Sequence, residues 1–217
     1  MSEIKPPPLI LSLAEGRVFG ETARLLLTLP LLRLQARRGS AEPVIILPGF
    51  MADDRSTALL RAFVQSIGYS TSGWLLGTNR LPMMQYLPAL RDQMMDLKAK
   101  FGGKVHLIGW SRGGMIAREL ARDYPELVKQ VITIGTPVRG GLAASAMGRW
   151  VQRETGLSTE QMAQIIEERY RSPITVPVRA IYSKTDGVVA WKACIDDQNE
   201  DVVHYEIESS HVGMGSN

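Results

Sequence analysis

A serine at position 111 lies in the run Gly109-Trp110-Ser111-Arg112-Gly113, between an apolar stretch that ends at Ile108 and a helical pattern that starts near Met115. A sharp turn from strand to helix strains the backbone of the serine, so the residues two before and two after it must be small, and here both are glycine. A third glycine, Gly114, allows the helix to pack closely on the sheet. The order of strand, turn and helix predicts a nucleophile elbow; a glycine-rich turn with an idle serine is the alternative.

A serine hydroxyl is a weak nucleophile and needs a neighbouring base, which in turn needs an orienting acid. The chain has three histidines. His106 and His204 lie inside predicted strands, which favours core or sheet-surface roles. His211 follows the last predicted strand in a loop at the sheet edge that Ser111 occupies, and it is therefore the predicted base. A loop histidine with a local role is the alternative.

Asp186 is the predicted acid, because it follows a strand and is flanked by small residues in Ser183-Lys184-Thr185-Asp186-Gly187. An Asp-Gly pair also favours a simple turn, which is the competing interpretation. Asp196 and Asp197 are rival carboxylates, but their polar surroundings are typical of a solvated loop.

An oxyanion formed next to Ser111 needs two backbone N–H donors. Arg112 supplies one, since it opens the helix whose free N–H groups and positive dipole end point to that place. The second is predicted in the loop after the first sheet strand, with Phe50 as the first choice and Met51 as the second. A plain Pro-Gly turn at Pro48-Gly49 is the alternative.

Short apolar runs alternate with helical periodicity around these residues. The predicted strands are 44–47, 70–76, 105–108, 131–134, 176–182 and 202–207, and the predicted helices between them include 55–67, 86–100 and 115–124. Such alternation indicates an α/β fold with a parallel sheet and crossover helices.

Two stretches break this rhythm. Residues 138–175 look inserted, with short helical patterns at 142–154 and 159–170, and an insertion after a strand's carboxyl end predicts a small helical cap over the site.

Residues 1–42 are predicted to form an N-terminal helical segment ahead of a domain of residues 43–217. Its apolar run is too short and interrupted to span a bilayer, and no signal-peptide pattern is apparent. Packing over the edge of the core is favoured, with peripheral membrane contact through residues 9–38 as the alternative.

Composition restricts the classes of function. The 217 residues are 45% hydrophobic and 22% charged, as in a soluble globular protein. Twenty-five basic and 22 acidic residues give a net charge of +3 without a basic stripe, which argues against nucleic-acid binding. The single cysteine, Cys194, excludes an internal disulfide, and no spacing of His or Cys suggests a metal site. We therefore expect a cytoplasmic protein without a metal or cofactor.

Three segments carry a resemblance to a known family: Leu-Ile-Gly-Trp-Ser-Arg-Gly-Gly-Met-Ile-Ala-Arg from Leu107, Val-Ile-Thr-Ile-Gly-Thr-Pro from Val131, and Tyr-Ser-Lys-Thr-Asp-Gly-Val-Val from Tyr182. With them, residues 43–213 resemble the α/β-hydrolases, in particular their lipase and carboxylesterase-like branch. The resemblance implies a three-layer sandwich with a reduced, mostly parallel sheet of about six strands and a small cap. It also implies that Ser111 is the nucleophile, Asp186 the acid and His211 the base, with the Phe50 and Arg112 amides as the oxyanion hole.

The predicted activity is hydrolysis of a carboxylic ester through a covalent acyl-enzyme, without a cofactor. Met51, Trp110 and Met83 are apolar residues in loops at the active edge, which favours a small-molecule ester with an apolar acyl chain. Two alternatives stay open: an acyltransferase with the same triad, and a binding protein that keeps the fold without turnover.

Overall fold

The computed structural model describes residues 4–139, 156 and 158–215, and a six-stranded sheet forms the centre of this part of the chain. The strands are β1 (Pro43–Leu47), β2 (Ser70–Gly73), β3 (Val105–Trp110), β4 (Val128–Ile134), β5 (Val178–Tyr182) and β6 (Val202–Glu206). Their order across the sheet is β2-β1-β3-β4-β5-β6, and each neighbouring pair is parallel. The predicted parallel sheet is confirmed.

The predicted strands 176–182 and 202–207 are longer than β5 and β6 by two residues and one residue, and the predicted strand 70–76 is longer than β2 by three. The pattern predicts a strand through residue 76, but β2 ends at Gly73. The carboxylate of Asp54 accepts hydrogen bonds from the backbone N–H groups of Trp74 at 2.9 Å and Leu75 at 3.0 Å, so these two amides turn away from the sheet. A side chain twenty residues earlier in the chain therefore terminates the strand.

Six helices accompany the sheet within the described residues: α1 (Leu9–Leu13), α2 (Val18–Gln35), α3 (Ala58–Ser66), α4 (Leu87–Phe101), α5 (Arg112–Asp123) and α6 (Thr159–Tyr170). The predicted helix from Met115 thus begins three residues earlier, directly after Ser111. The predicted helix at 159–170 is confirmed as α6, whereas the pattern at 142–154 lies outside the described residues.

The sheet is apolar on both faces, as a parallel sheet covered on two sides must be. Alternating residues of β1 illustrate this. Ile45 and Leu47 belong to one buried cluster with residues of α4 and α5, while Val44 and Ile46 belong to a second cluster with Val64 of α3. Because all six strands run parallel, their carboxyl ends lie at one edge of the sheet, where open α/β sheets bind ligands.

The N-terminal segment meets this domain differently from the prediction. Neither α1 nor α2 contains a buried residue, and Leu13, Phe19 and Leu27 are 84%, 82% and 83% exposed. The segment contacts the domain largely through polar groups, such as the Ser12 hydroxyl, which donates to the carbonyl of Gly187 at 2.6 Å, while Ile4 packs on the buried cluster of Val189, Ala193 and Cys194. Within the described ranges, no helix combines the length and apolarity needed to cross a membrane.

Candidate active site

Ser111 forms the turn between β3 and α5. Its φ of 53° and ψ of −121° are strained for a residue with a side chain, at a cost of about 1–3 kcal/mol. The turn is fixed on both sides: the Ser111 N–H donates to the carbonyl of Ile134 at 2.7 Å, and the Thr136 hydroxyl donates to the Ser111 carbonyl at 2.9 Å. The predicted position of Ser111 at a strained turn between strand and helix matches the structure.

The glycines around Ser111 permit close approach of backbone segments. A Cβ added at Gly109 would lie 2.3 Å from the Cα of Gly114, and one at Gly113 would lie 2.3 Å from the carbonyl oxygen of Leu47. A Cβ at Gly114 would lie 2.0 Å from the Thr136 hydroxyl. Side chains at these positions would push α5 away from β1 and β3 and displace the turn.

Asp186 and His211 form a buried hydrogen-bonded pair. Asp186 Oδ2 lies 2.7 Å from His211 Nδ1, and the two side chains are only 1% and 6% exposed. The other carboxylate oxygen of Asp186 accepts the N–H groups of Val188 at 2.8 Å and Val189 at 2.7 Å. Because a carboxylate only accepts, His211 Nδ1 carries the proton of this bond, and Nε2 keeps a lone pair able to act as a base.

Contacts with two neighbouring loops place His211 beside the elbow. The indole N–H of Trp110 donates to the backbone carbonyl of His211 at 3.1 Å, and the two rings lie 5.8 Å apart. A Cβ added at Gly135, which follows β4, would lie 3.1 Å from His211 Nδ1. The loops after β3, β4, β5 and β6 thus converge around the serine, the carboxylate and the imidazole.

The other two histidines lie elsewhere. His106 is in β3, where its Nδ1 lies 3.0 Å from the Gln130 amide nitrogen and burial lowers the pKa of the imidazole. His204 is in β6, where its Nε2 accepts the N–H of Asp196 at 3.0 Å. The structure places both within strands, as predicted.

The rival carboxylates differ from one another. Asp197 is half exposed and pairs with Arg139 at 2.5 Å. Asp196 is buried, however, and its carboxylate lies 2.6 Å from the guanidinium of Arg118, so the prediction of a solvated loop is wrong at this position. Burial alone would raise the pKa of Asp196, but the charge of Arg118 and several hydrogen bonds hold that pKa below its ordinary value.

The loop after β1 lies against the elbow. A Cβ added at Gly49 would lie 3.5 Å from the Cβ of Ser111. The N–H of Met51 donates to the backbone carbonyl of Asn79 at 2.9 Å, so the amide of the second predicted oxyanion donor is already engaged. The N–H of Arg112 belongs to the first turn of α5, where amides have no acceptor within the helix.

Asn79 is a residue that the sequence patterns do not indicate. It is fully buried, its side-chain amide donates to the carbonyl of Pro48 at 2.9 Å, and its side-chain oxygen accepts from the Arg112 guanidinium at 2.7 Å. Arg112 also donates to the carbonyl of Leu81 and lies over the ring of Phe50, and burial lowers the pKa of its guanidinium to about 10. Asn79 and Arg112 together fix the loop after β1 relative to the elbow.

The three residues predicted to contact substrate occupy different environments. Met51 is 38% exposed in the loop after β1. Trp110 is the last residue of β3 and not a loop residue as predicted; it is half buried, and its indole N–H donates to the His211 carbonyl. Met83 packs partly on the core cluster that includes residues of α4. Among the residues that the structure describes, no three His, Cys, Asp or Glu side chains converge as a metal site.

Comparison with known proteins defines the class. The profile of the alpha/beta hydrolase fold family matches residues 44–169, more than half of this chain. The protein therefore belongs to the α/β-hydrolase family, in agreement with the predicted family and fold.

Particular relatives are similar over shorter or more divergent stretches. Over 71 residues, or 32% of this chain, it is 41% identical to triacylglycerol lipases of Pseudarthrobacter phenanthrenivorans and Burkholderia plantarii, and that match spans 22% and 20% of the two lipases. The chain thus covers only about a fifth of these curated relatives. The crystal structure of a mature Bacillus licheniformis lipase superposes with a TM-score of 0.62 at 16% identity, covering 84% of this chain and 89% of that one. This likeness concerns the fold.

Proposed function

We propose that this protein is a serine hydrolase of carboxylic esters. The single observation that carries the proposal is the buried Asp186–His211 pair, 2.7 Å between Oδ2 and Nδ1, whose histidine contacts Trp110, the residue before a serine held in a strained elbow at a helix N-terminus. Neither the strain nor the buried pair is needed to build a parallel sheet, and both are what an activated serine requires. The partial identity with two triacylglycerol lipases supports the same class of substrate.

In the acylation step, Ser111 Oγ attacks the ester carbonyl carbon while its proton passes to Nε2 of His211. Asp186 keeps the imidazole in the required tautomer and stabilises the imidazolium. The charge that develops on the carbonyl oxygen is bound by the backbone N–H groups of Phe50 and Arg112, next to the positive end of α5.

Collapse of this intermediate breaks the bond to the leaving alkoxide, which takes the proton from His211 and departs as the alcohol. Water then attacks the acyl-enzyme, giving one proton to His211 and its hydroxide to the acyl carbon. When the Ser111–acyl bond breaks, that proton returns to Oγ. One ester and one water thus give one acid and one alcohol, with the enzyme unchanged.

The test combines covalent labelling with turnover of an activated acetate ester. We expect a fluorophosphonate to label Ser111, and Ser111→Ala to lose labelling and about six orders of magnitude of turnover. His211→Ala is expected to lose nearly as much, whereas the matched change His204→Ala affects stability and leaves the chemistry intact. A folded Ser111→Ala variant that retains a few per cent of the wild-type rate would refute the proposal, and a wild-type protein that never labels would indicate a binding protein.

We propose an apolar acyl chain as part of the substrate. The exposed side chain of Met51 lies in the loop after β1, against the elbow, and a flexible thioether adapts to an alkyl chain. A series of activated esters of increasing acyl length should show a preference that weakens in Met51→Ala. Met95→Ala, an equally simple truncation of a methionine that is 52% exposed on α4, serves as the control. Equal rates along the whole series would contradict the proposed acyl specificity.

We also propose that residues 9–38 contact an anionic membrane surface. Most of their large apolar side chains are exposed, and both carboxylates, Glu15 and Glu21, face the hydrolase domain. Of the five arginines, Arg17 pairs with Glu21 and Arg38 donates to the Ser66 carbonyl, whereas Arg24, Arg33 and Arg37 are exposed. The outward face is therefore apolar and cationic, which suits anionic lipid and disfavours a second copy of the same cationic face.

Vesicle sedimentation tests this contact. We expect binding to phosphatidylglycerol vesicles, weaker binding to phosphatidylcholine, and loss of binding in the double variant Phe19→Ser, Leu27→Ser. Met95→Ser on α4 is the control. Absence of binding to the anionic vesicles would refute the proposal, and a concentration-dependent dimer that the double variant abolishes would assign the face to self-association instead.

A further inference from the structure

Two carboxylates of the N-terminal segment reach the loops that carry Asp186 and His211. One oxygen of Glu15 accepts the backbone N–H of Gly187 at 2.8 Å and that of His211 at 2.9 Å, and the other accepts the N–H of Val212 at 3.0 Å. A single oxygen atom thus joins the residue after the proposed acid to the proposed base. Bonds from N–H groups to an ionised carboxylate are among the strong ones.

Glu21 holds the residue before the base. Its carboxylate accepts the backbone N–H of Ser210 at 2.9 Å and the Ser210 hydroxyl at 2.5 Å, and that hydroxyl accepts the N–H of Gly213 at 3.0 Å. Arg17 pairs with Glu21 at 3.1 Å and donates to the Thr185 carbonyl at 3.0 Å, one residue before Asp186. Residues 15–21 therefore contact the loop of Asp186 at Thr185 and Gly187, and the loop of His211 at Ser210 and Val212.

Glycines make this approach possible. A Cβ added at Gly187 would lie 2.2 Å from the carbonyl oxygen of Leu11, and one at Gly213 would lie 1.8 Å from the Glu21 carboxylate. The loops are thus shaped to receive the segment, and the contact is specific to these positions.

We propose that Glu15 and Glu21 are positioning residues, which set the distance and orientation between Asp186 and His211 by holding the backbones of their two loops. This inference rests on the proposed ester hydrolysis and adds the N-terminal segment to the active-site architecture. Neither carboxylate bonds to the reacting atoms. Their effect passes through the backbone of the loops, where a shift of about 1 Å in catalytic geometry costs up to roughly a hundredfold in rate.

The test uses Glu15→Ala, Glu15→Gln and Glu21→Ala in the full chain, with Glu200→Ala, an exposed carboxylate, as the matched control. Fluorophosphonate titration counts active sites, so that kcat is expressed per competent serine and partial unfolding is removed from the comparison. We expect Glu15→Ala to lower kcat by roughly ten- to a hundredfold with KM nearly unchanged. Glu15→Gln should fall between Ala and wild type, because its amide oxygen still accepts the N–H groups of Gly187 and His211.

Hydrogen exchange at the amides of Gly187, His211 and Val212 is measured on the same proteins. Faster exchange in Glu15→Ala than in Glu200→Ala is expected. Unchanged exchange, or a kcat per titrated site equal to that of the control, would overturn the proposal. A wild-type protein that neither labels nor hydrolyses esters would overturn the proposed function alone, since exchange then still decides whether Glu15 holds the two loops.

Discussion

Replacing Asp186 with asparagine changes one atom of the buried pair and tests how the base is oriented. In the native protein Oδ1 accepts two backbone N–H groups, from Val188 and Val189, while Oδ2 faces His211 Nδ1 at 2.7 Å. Asparagine has one oxygen and one NH2 group to fill these two places. The surrounding donors decide which group goes where.

The oxygen of the asparagine is expected to stay with the two valine amides. The reverse orientation would set an NH2 group against two N–H donors and lose two hydrogen bonds of about 1 kcal/mol each, a total of about 2 kcal/mol. That difference favours one orientation by roughly thirtyfold. The NH2 group then lies where Oδ2 was and donates to Nδ1 of His211, which forces the ring proton onto Nε2.

An imidazole with its proton on Nε2 has no lone pair to accept the proton of Ser111. We therefore expect Asp186→Asn to lower kcat by about four orders of magnitude, equivalent to about 5 kcal/mol of transition-state stabilisation. Pre-steady-state release of nitrophenol from an activated acetate ester measures the acylation rate directly. Nitrogen NMR of the His211 ring should show protonated Nδ1 in the wild type and protonated Nε2 in the variant.

Asp197→Asn is the control, because this half-exposed carboxylate pairs only with Arg139 among the described residues and lies outside the triad. It should acylate at the wild-type rate. A folded Asp186→Asn variant with more than a tenth of the wild-type rate, or with Nδ1 still protonated, would refute the reasoning.

Three further predictions concern stability and the loop after β1. Asp196→Asn should lower the free energy of unfolding by about 3 kcal/mol at pH 7, because it leaves Arg118 buried without its carboxylate, while kcat per titrated site stays unchanged. The pKa of Asp196 lies below its unfolded value of about 3.9, so its contribution to the free energy of unfolding is present above pH 4 and is lost as the pH falls further. Urea unfolding at pH 7 and pH 3 should therefore show a smaller difference in the free energy of unfolding between variant and wild type at pH 3. Asn79→Ala should lower the free energy of unfolding by about 3 kcal/mol and also lower kcat, because the Arg112 guanidinium and the Pro48 carbonyl each lose one buried hydrogen-bond partner. Equal activity per titrated site would contradict the proposed role of Asn79 in fixing the loop after β1. Gly114→Ala should lower the free energy of unfolding by about 1–3 kcal/mol, because the added Cβ would lie 2.0 Å from the Thr136 hydroxyl. Thermal unfolding measures this, with Gly103→Ala as the control, since a Cβ added at Gly103 meets nothing within 4 Å.

The features that local patterns determine were predictable from the sequence. The elbow is one example, because the tight turn at Ser111 needs small residues two positions before and after it, and both are glycines that can be seen within five residues of sequence. The loops of Asp186 and His211 are another, because each follows a strand of a parallel sheet and parallel strands end at one edge. The roles of these residues stay predictions until the variants are measured.

Contacts between distant segments were not predictable in the same way. Asp54 ends β2 from twenty residues away, and Arg118 draws Asp196 into the interior across 78 positions. Glu15 accepts hydrogen bonds from the backbone N–H groups of Gly187, His211 and Val212. Every residue type except proline has such a group, so the residue types at these positions do not predict the contact. The exposed leucines of the N-terminal segment also give no indication that its two carboxylates, Glu15 and Glu21, face the domain.

The pairing of Glu15 with Val212 joins residues 197 positions apart, which has a consequence for biosynthesis. Contacts of such long range form late, because the chain must close a large loop before any interaction compensates the lost entropy. On a ribosome, the helices that carry Glu15 and Glu21 are made before the loops they contact, and they lack these partners until residues 187–213 have been synthesised. During that interval their exposed leucines are available to chaperones or to a lipid surface, and the proposed base, His211, is not yet in place. If the proposed function holds, hydrolytic activity should therefore appear only after residues 186–213 have left the ribosome, well after the β1 to β4 part of the sheet has been synthesised.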